Sequence, residues 1–126
     1  MRNIIKTDKA PAAIGTYNQA VETNGLLFTS GQVGIDPETG KMVEGGIKPQ
    51  VNRVLNNINA ILSETGLNKE SIIKLTVFLK DFNDFSTVND VFTEFFGEKE
   101  FPARTTVEVS ELPLGALIEI DCIASR

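Results

Sequence analysis

Four charged side chains near the end of the chain have the types and spacing to handle a small charged molecule. In Phe101-Pro102-Ala103-Arg104-Thr105-Thr106-Val107-Glu108-Val109, polar and apolar residues alternate with the period of a half-buried strand. Arg104, Thr106 and Glu108 share one face; Thr105, Val107 and Val109 share the other. A second run, Leu117-Ile118-Glu119-Ile120-Asp121-Cys122, turns Ile118, Ile120 and Cys122 inward and Glu119 and Asp121 outward. If the two strands pair as a hairpin through Leu112-Pro113-Leu114-Gly115, a guanidinium with a planar hydrogen-bonding fork and several carboxylates gather on one sheet face. That cluster is a candidate site. Taken alone, the two strands favour a plainer outcome, a cross-strand ion pair on a solvated face.

The rest of the composition narrows the chemistry by exclusion. The 126 residues include no histidine and one cysteine. Ser-His-Asp and Cys-His nucleophiles and the usual zinc constellations are therefore out of reach. A lone Cys122 on an apolar strand face reads as a small buried hydrophobe. Twelve basic against seventeen acidic residues give a net charge of -5, which repels phosphate backbones and anionic membranes, so no nucleic acid or membrane partner is expected. Gly31-Gln32-Val33-Gly34 leads into a turn, and no GxGxxG or GxxxxGK[ST] is present, so no nucleotide cofactor is expected. The N-terminus has no signal-peptide pattern, and the expected location is cytoplasmic.

The length suits one domain over residues 1–126. A short strand over 2–6 precedes a loop over 8–15. A strand over 17–22 then pairs through Asn24-Gly25 with another over 26–33. Asp36-Pro37-Glu38-Thr39-Gly40-Lys41 is dense in turn formers. Over 47–65 the period changes to that of a helix, with Val51, Val54, Leu55, Ile58, Ile61 and Leu62 as the apolar stripe. Gln50, Arg53, Asn56, Asn57 and Asn59 fall elsewhere on it, and Pro49 and Gly66 mark its ends. A strand over 71–80 places Ile73, Leu75, Val77 and Leu79 on one face. A second helix over 84–96, with Asn83 as cap and Gly97 as stop, presents Phe85, Val88, Val91, Phe92, Phe95 and Phe96. A loop over 98–100 leads to the final strands.

The order β-β-β-α-β-α-β-β predicts an α+β fold, a single mixed sheet with both helices on one face. The helices then cover Val77, Val107 and Ile120. The other face holds Phe78, Thr76, Arg104, Thr106, Glu119 and also Ser30 and Gln32. A face so mixed implies cover by another copy of the chain, with the site between subunits.

Ala10-Pro11-Ala12-Ala13-Ile14-Gly15-Thr16-Tyr17, Thr29-Ser30-Gly31-Gln32, Thr76-Val77-Phe78-Leu79-Lys80-Asp81, Val88-Asn89, Phe101-Pro102-Ala103-Arg104 and Ile118-Glu119-Ile120 together resemble the Rid (YjgF) family of enamine/imine deaminases, over essentially the whole chain. The resemblance implies a chorismate-mutase-like fold, a homotrimer with clefts between subunits, and no cofactor or metal. The implied reaction converts 2-aminoacrylate, 2-aminocrotonate or their imines to 2-oxo acids and ammonia. By the same resemblance Arg104 clamps the substrate carboxylate and Glu119 directs the attacking water. Tyr17 walls the pocket from a neighbouring subunit, Ser30 and Gly31 shape its floor, and Asn89 lies near its rim. An imine carbon is already electrophilic, so a held substrate and a positioned water suffice. One departure is Thr106, where many relatives carry cysteine; its backbone carbonyl is expected to help hold the water. The alternatives are a trimeric sensor that binds 2-oxo or amino acids without turnover, and an RNA-cleaving activity that the acidic balance disfavours.

Overall fold

Alternation at two residues builds six strands and a 3.6-residue period builds two helices, in the order expected. The computed structural model describes residues 1–98 and 100–126. The strands are β1 (Asn3–Ile5), β2 (Ala20–Thr23), β3 (Leu26–Thr29), β4 (Ile72–Leu79), β5 (Ala103–Glu108) and β6 (Ile118–Ser125). Helix α1 (Ile47–Glu64) lies between β3 and β4, and α2 (Phe85–Phe96) between β4 and β5. The expected loop over 98–100 includes Lys99, which lies outside the described residues.

All six strands form one mixed sheet in the order β1-β2-β3-β6-β4-β5, and α1 and α2 pack against one face of it. Among the described residues only β4 and β5 run parallel, because α2 carries the chain back between them. Asn24 and Gly25 turn the β2–β3 hairpin with φ of 52° and 77°, the left-handed pair that a two-residue turn demands.

The hairpin between the last two strands does not form. β4 lies between β5 and β6, parallel to one and antiparallel to the other. The connection over 109–117 is tied to the end of β4 instead: the Val109 N–H donates to the Leu79 carbonyl, and the Lys80 N–H donates to that of Leu117.

Register then decides which side chains share a face. On β4, Leu75, Val77 and Leu79 are fully buried toward the helices, and Lys74, Thr76 and Phe78 take the open face. Ile73 departs from its expected place. A register break between Ile72 and Lys74 puts Ile72 in the core and leaves Ile73 exposed. β6 behaves as expected, with Ile118, Ile120 and Cys122 buried and Glu119 and Asp121 on the open face beside Phe78 and Thr76.

β5 is inverted relative to expectation. Its parallel register sets Arg104 beside Leu75 and Thr106 beside Val77, on the helix side, whereas Val107 stands beside Phe78 on the open face. Arg104 finds partners on α2 that outweigh the pull of a valine toward the core. Gln32 also departs: it bridges to Ile120, a core-facing residue, and is buried.

The core fills the space between sheet and helices. Val51, Val54, Leu55, Ile58, Ile61 and Leu62 of α1 have essentially no exposure, each stabilising the fold by about 1.5–3 kcal/mol. Two polar residues of α1 join them. Asn57 is buried and donates to the carbonyls of Val33 and Ile35, while the Gln50 side chain accepts the Leu117 N–H at 2.8 Å. Both pin loops that border the open face. The start of α2 differs as well: Asp84, not Asn83, is its N-terminal cap residue and makes no side-chain capping bond, while the Asp81 carboxylate accepts the Asn83 N–H at 2.9 Å in the 3-10 turn Phe82–Asp84 that precedes the helix.

Candidate active site

Glu119 is the second residue of β6, in a stretch whose backbone is paired on both sides, with β4 and with Gln32. β3 ends at Thr29, but pairing resumes at Gln32, whose backbone exchanges two hydrogen bonds with Ile120 at 2.8 and 3.0 Å. Between these points the ladder slips by one residue, and the Cys122 N–H donates to the Thr29 hydroxyl at 2.9 Å instead. The irregular stretch lays Gly31 against Glu119. A Cβ on Gly31 would stand 2.6 Å from the Glu119 Oε2, so only glycine leaves that carboxylate in place. Ser30 is fixed at both ends, its N–H on the Gln19 carbonyl and its hydroxyl on that of Asn18 at 2.5 Å.

The loop before β2 closes the same space. The buried Gln19 side chain donates to the carbonyls of Thr7, Ala10 and Pro11 and accepts the Thr7 N–H, an anchor with no visible signal in the sequence. Tyr17 rides on this loop, three residues before β2 begins, and not on a strand as expected. Its ring lies against Gly15, and its hydroxyl accepts the Ile14 N–H at 3.4 Å.

Tyr17, Ser30, Gly31, Glu119 and Asp121 thus line one cavity of about 670 Å³. Glu119 is half-buried. Burial, and secondarily the negative charge of Asp121, raise its pKa above the usual carboxylate value. Burial also raises that of Asp121, opposed by a hydrogen bond from Thr76 and by the charge of Lys74. Sequence reasoning placed Asp121 on this face but gave it no role.

Arg104 lies elsewhere. Its Nη1 donates to the Asn89 Oδ1 at 2.7 Å, and its guanidinium sits 5.2 and 5.5 Å from the ring centroids of Phe85 and Phe92. Burial lowers its pKa from the ordinary value. Asn89 and Arg104 share a second cavity, of about 490 Å³, with Phe92 and Phe96 of α2 and with Phe101 and Pro102 before β5. Thr106 borders neither cavity; its hydroxyl is buried without a hydrogen-bond partner. The structure therefore assembles the expected residues as two groups on opposite faces of the sheet, Tyr17, Ser30, Gly31 and Glu119 on one and Asn89 and Arg104 on the other.

Comparison with known proteins identifies the scaffold. Residues 7–126 match the family model described as Endoribonuclease L-PSP. The 2-iminobutanoate/2-iminopropanoate deaminase of Bos taurus is 47% identical over 98% of this chain and 90% of its own. The chain belongs to the Rid (YjgF) family. A crystal structure of a Rid family protein from Yersinia pestis, titled a protein of unknown function, superposes with a TM-score of 0.97, at 48% identity and with all of both chains covered. A Rid relative in Pyrococcus abyssi, 50% identical over 99% of this chain and 98% of its own, is named only a RutC family protein. Rid relatives at this distance thus include both named deaminases and proteins without an assigned reaction.

Among the described residues of this Rid chain, no helix is long and apolar enough to cross a membrane. Nor, among them, does any group of three or more acidic or cysteine side chains converge as metal ligands would. The Glu119 cavity offers a half-buried carboxylate beside a second one, Asp121, and beside the backbone and hydroxyl groups of Tyr17, Ser30 and Gly31. Such an arrangement can take a proton from water and return it.

Proposed function

We propose that the chain hydrolyses 2-iminopropanoate and 2-iminobutanoate, with their enamine tautomers 2-aminoacrylate and 2-aminocrotonate, to 2-oxo acids and ammonia. A second copy of the chain, within a homotrimer, completes the site. The observation that carries this reading is Glu119, a half-buried carboxylate packed on Gly31 in a cavity, with its pKa raised above the ordinary carboxylate value by burial. A carboxylate that must both accept and return a proton is helped by a shift in that direction. The bovine relative's name supplies the reaction class.

The substrate enters as an iminium, its C2 electrophilic. Water attacks C2 while Glu119 accepts a proton, giving a carbinolamine. Protonated Glu119 then passes that proton to the nitrogen. The C–N bond breaks as the new hydroxyl loses its proton to Glu119 and ammonia departs; ammonia then takes that proton from Glu119, so the oxo acid and ammonium leave and the carboxylate is restored. Charge and atoms balance with water as the sole co-reactant.

The substrate carboxylate needs a cation, and Arg104 of the same chain faces the other side of the sheet. β5 is an edge strand with one neighbour, and the open face beside it exposes Phe28 and Val107. A second copy packed there covers this apolar surface and brings its own Arg104 to the first copy's Glu119. Asn89 and the rings of Phe85 and Phe92 set the guanidinium's direction for a two-pronged grip.

Threonine dehydratase supplies 2-aminocrotonate for the test, with loss of the imine absorbance as the readout. The wild-type chain should speed that loss, and sedimentation should give three times the 13.8 kDa of one chain. No acceleration over buffer rejects the deaminase; binding of a 2-oxo acid without turnover would mark a sensor instead.

A further inference from the structure

The hydrolysis uses only part of the Glu119 cavity. Ile14, Val33, Ile35, Pro37, Pro113 and Leu114 line the remainder with apolar surface. Ile14 and Leu114 are large side chains, 77% and 64% exposed in the single chain, that border this cavity from two different loops.

Both residues are presented on fixed loops. Ile14 is hydrogen-bonded to the Tyr17 hydroxyl, within the loop that Gln19 anchors at Thr7, Ala10 and Pro11. Leu114 has φ 57° and ψ 28°, a left-handed conformation that is rare and costly for a bulky side chain. It is locked by the Ala116 N–H on the Pro113 carbonyl at 3.0 Å and the Leu117 N–H on the buried Gln50 side chain at 2.8 Å. Backbone strain that the surroundings hold in place at a cavity rim fits a ligand contact better than a loose loop. The opposite wall is equally fixed, with the carbonyls of Val33 and Ile35 bound to Asn57.

A 2-imino acid has three substituents at C2. The carboxylate goes to Arg104 and the nitrogen and water to Glu119, so the side chain alone is left for the apolar wall. We infer that Ile14 and Leu114 are specificity-determining residues, and that the chain prefers 2-imino acids whose aliphatic side chains are longer than the methyl or ethyl of the simplest substrates. The placement of the acid's core rests on the deaminase reading; the preference for length rests on the cavity.

Calorimetric titration of the assembled protein with a series of 2-oxo acids tests this without requiring turnover. The probes are pyruvate, 2-oxobutanoate, 2-oxopentanoate and 4-methyl-2-oxopentanoate. Affinity should rise about fourfold for each added methylene. Leu114→Asn keeps a residue that tolerates the left-handed backbone while removing the apolar surface, so it should flatten the slope without lowering the melting temperature. Ile14→Ala should flatten it too. Affinity that stays level or falls with length overturns the inference, and so does a slope that persists in both variants. A rising slope with no imine turnover would support the wall while rejecting the deaminase.

Discussion

β5 and β6 carry the two charged residues that matter most, and the sequence pattern reads correctly on one and inversely on the other. β6 is a central strand. With β3 and β4 on its flanks and α1 across its inner face, its aliphatic residues have one place to go, and Glu119 and Asp121 must face the open side. β5 is an edge strand with one neighbour, and none of its residues Ala103–Glu108 is fully buried. There the choice of face depends on individual partners. Asn89 and two phenylalanine rings draw Arg104 toward α2, and Val107 is left on the open face, 39% exposed. Periodicity settles the orientation of a strand that the core grips on both sides, and does not settle that of a strand at the rim.

The difference also reassigns the site. A hairpin would have placed Arg104 and Glu119 side by side as an ordinary ion pair. Instead each occupies its own cavity, so any reaction that uses both needs two chains. Exchanging one residue at a time should reveal how unequal the two halves are.

The largest effect belongs to Glu119. Glu119→Gln keeps the shape and removes the base, and should lower kcat for 2-aminocrotonate hydrolysis by about 10²–10⁴-fold, read in the coupled dehydratase assay. Arg104→Lys keeps the charge without the planar fork, and should raise KM more than it lowers kcat.

Next is Gly31→Ala. Its Cβ would meet the Glu119 carboxylate at 2.6 Å, so the carboxylate must move. A loss of about 10²-fold in kcat/KM with little change in melting temperature is expected, since misplacing a reacting group by an ångström costs that much.

Asn57→Ala acts through the scaffold. It strips the carbonyls of Val33 and Ile35 of a buried donor and should cost about 1–3 kcal/mol in urea unfolding.

The smallest effect is on the pH dependence of stability. Folding raises the pKa of Glu119, so the folded chain favours the protonated form. The stability from this group is fully present below the ordinary carboxylate pKa and is lost as pH rises through the raised folded value. Glu119→Gln should therefore reduce the fall in melting temperature as pH rises above the ordinary carboxylate range, leaving the part that Asp121 contributes.

Much of the fold was legible because it depends on elements whose period is unambiguous. The order of eight elements, the stripes of α1 and α2, the Asn24-Gly25 turn and the placing of both helices on one face all follow from local pattern. Strand order did not, since nothing in the β5 or β6 sequence records that β4 will come between them. Asn57 and Gln50 were misread because an amide inside an apolar stripe looks like surface until its backbone partners, in loops far along the chain, are known. Within the site, Glu119 and Gly31 were recognisable from motif and alternation together. Their mutual contact, the Gln19 anchor and the strained Leu114 arise from packing between distant segments, which periodicity does not register.

The central claim is that Arg104 of one copy serves Glu119 of another. Arg104→Ala and Glu119→Gln chains, each inactive alone, can be unfolded together and refolded as a mixture. In random assemblies about a quarter of the shared sites would pair an intact arginine with an intact glutamate, and imine hydrolysis should return to about that fraction of wild type. A mixture that assembles normally yet stays as inactive as its parents would contradict the account.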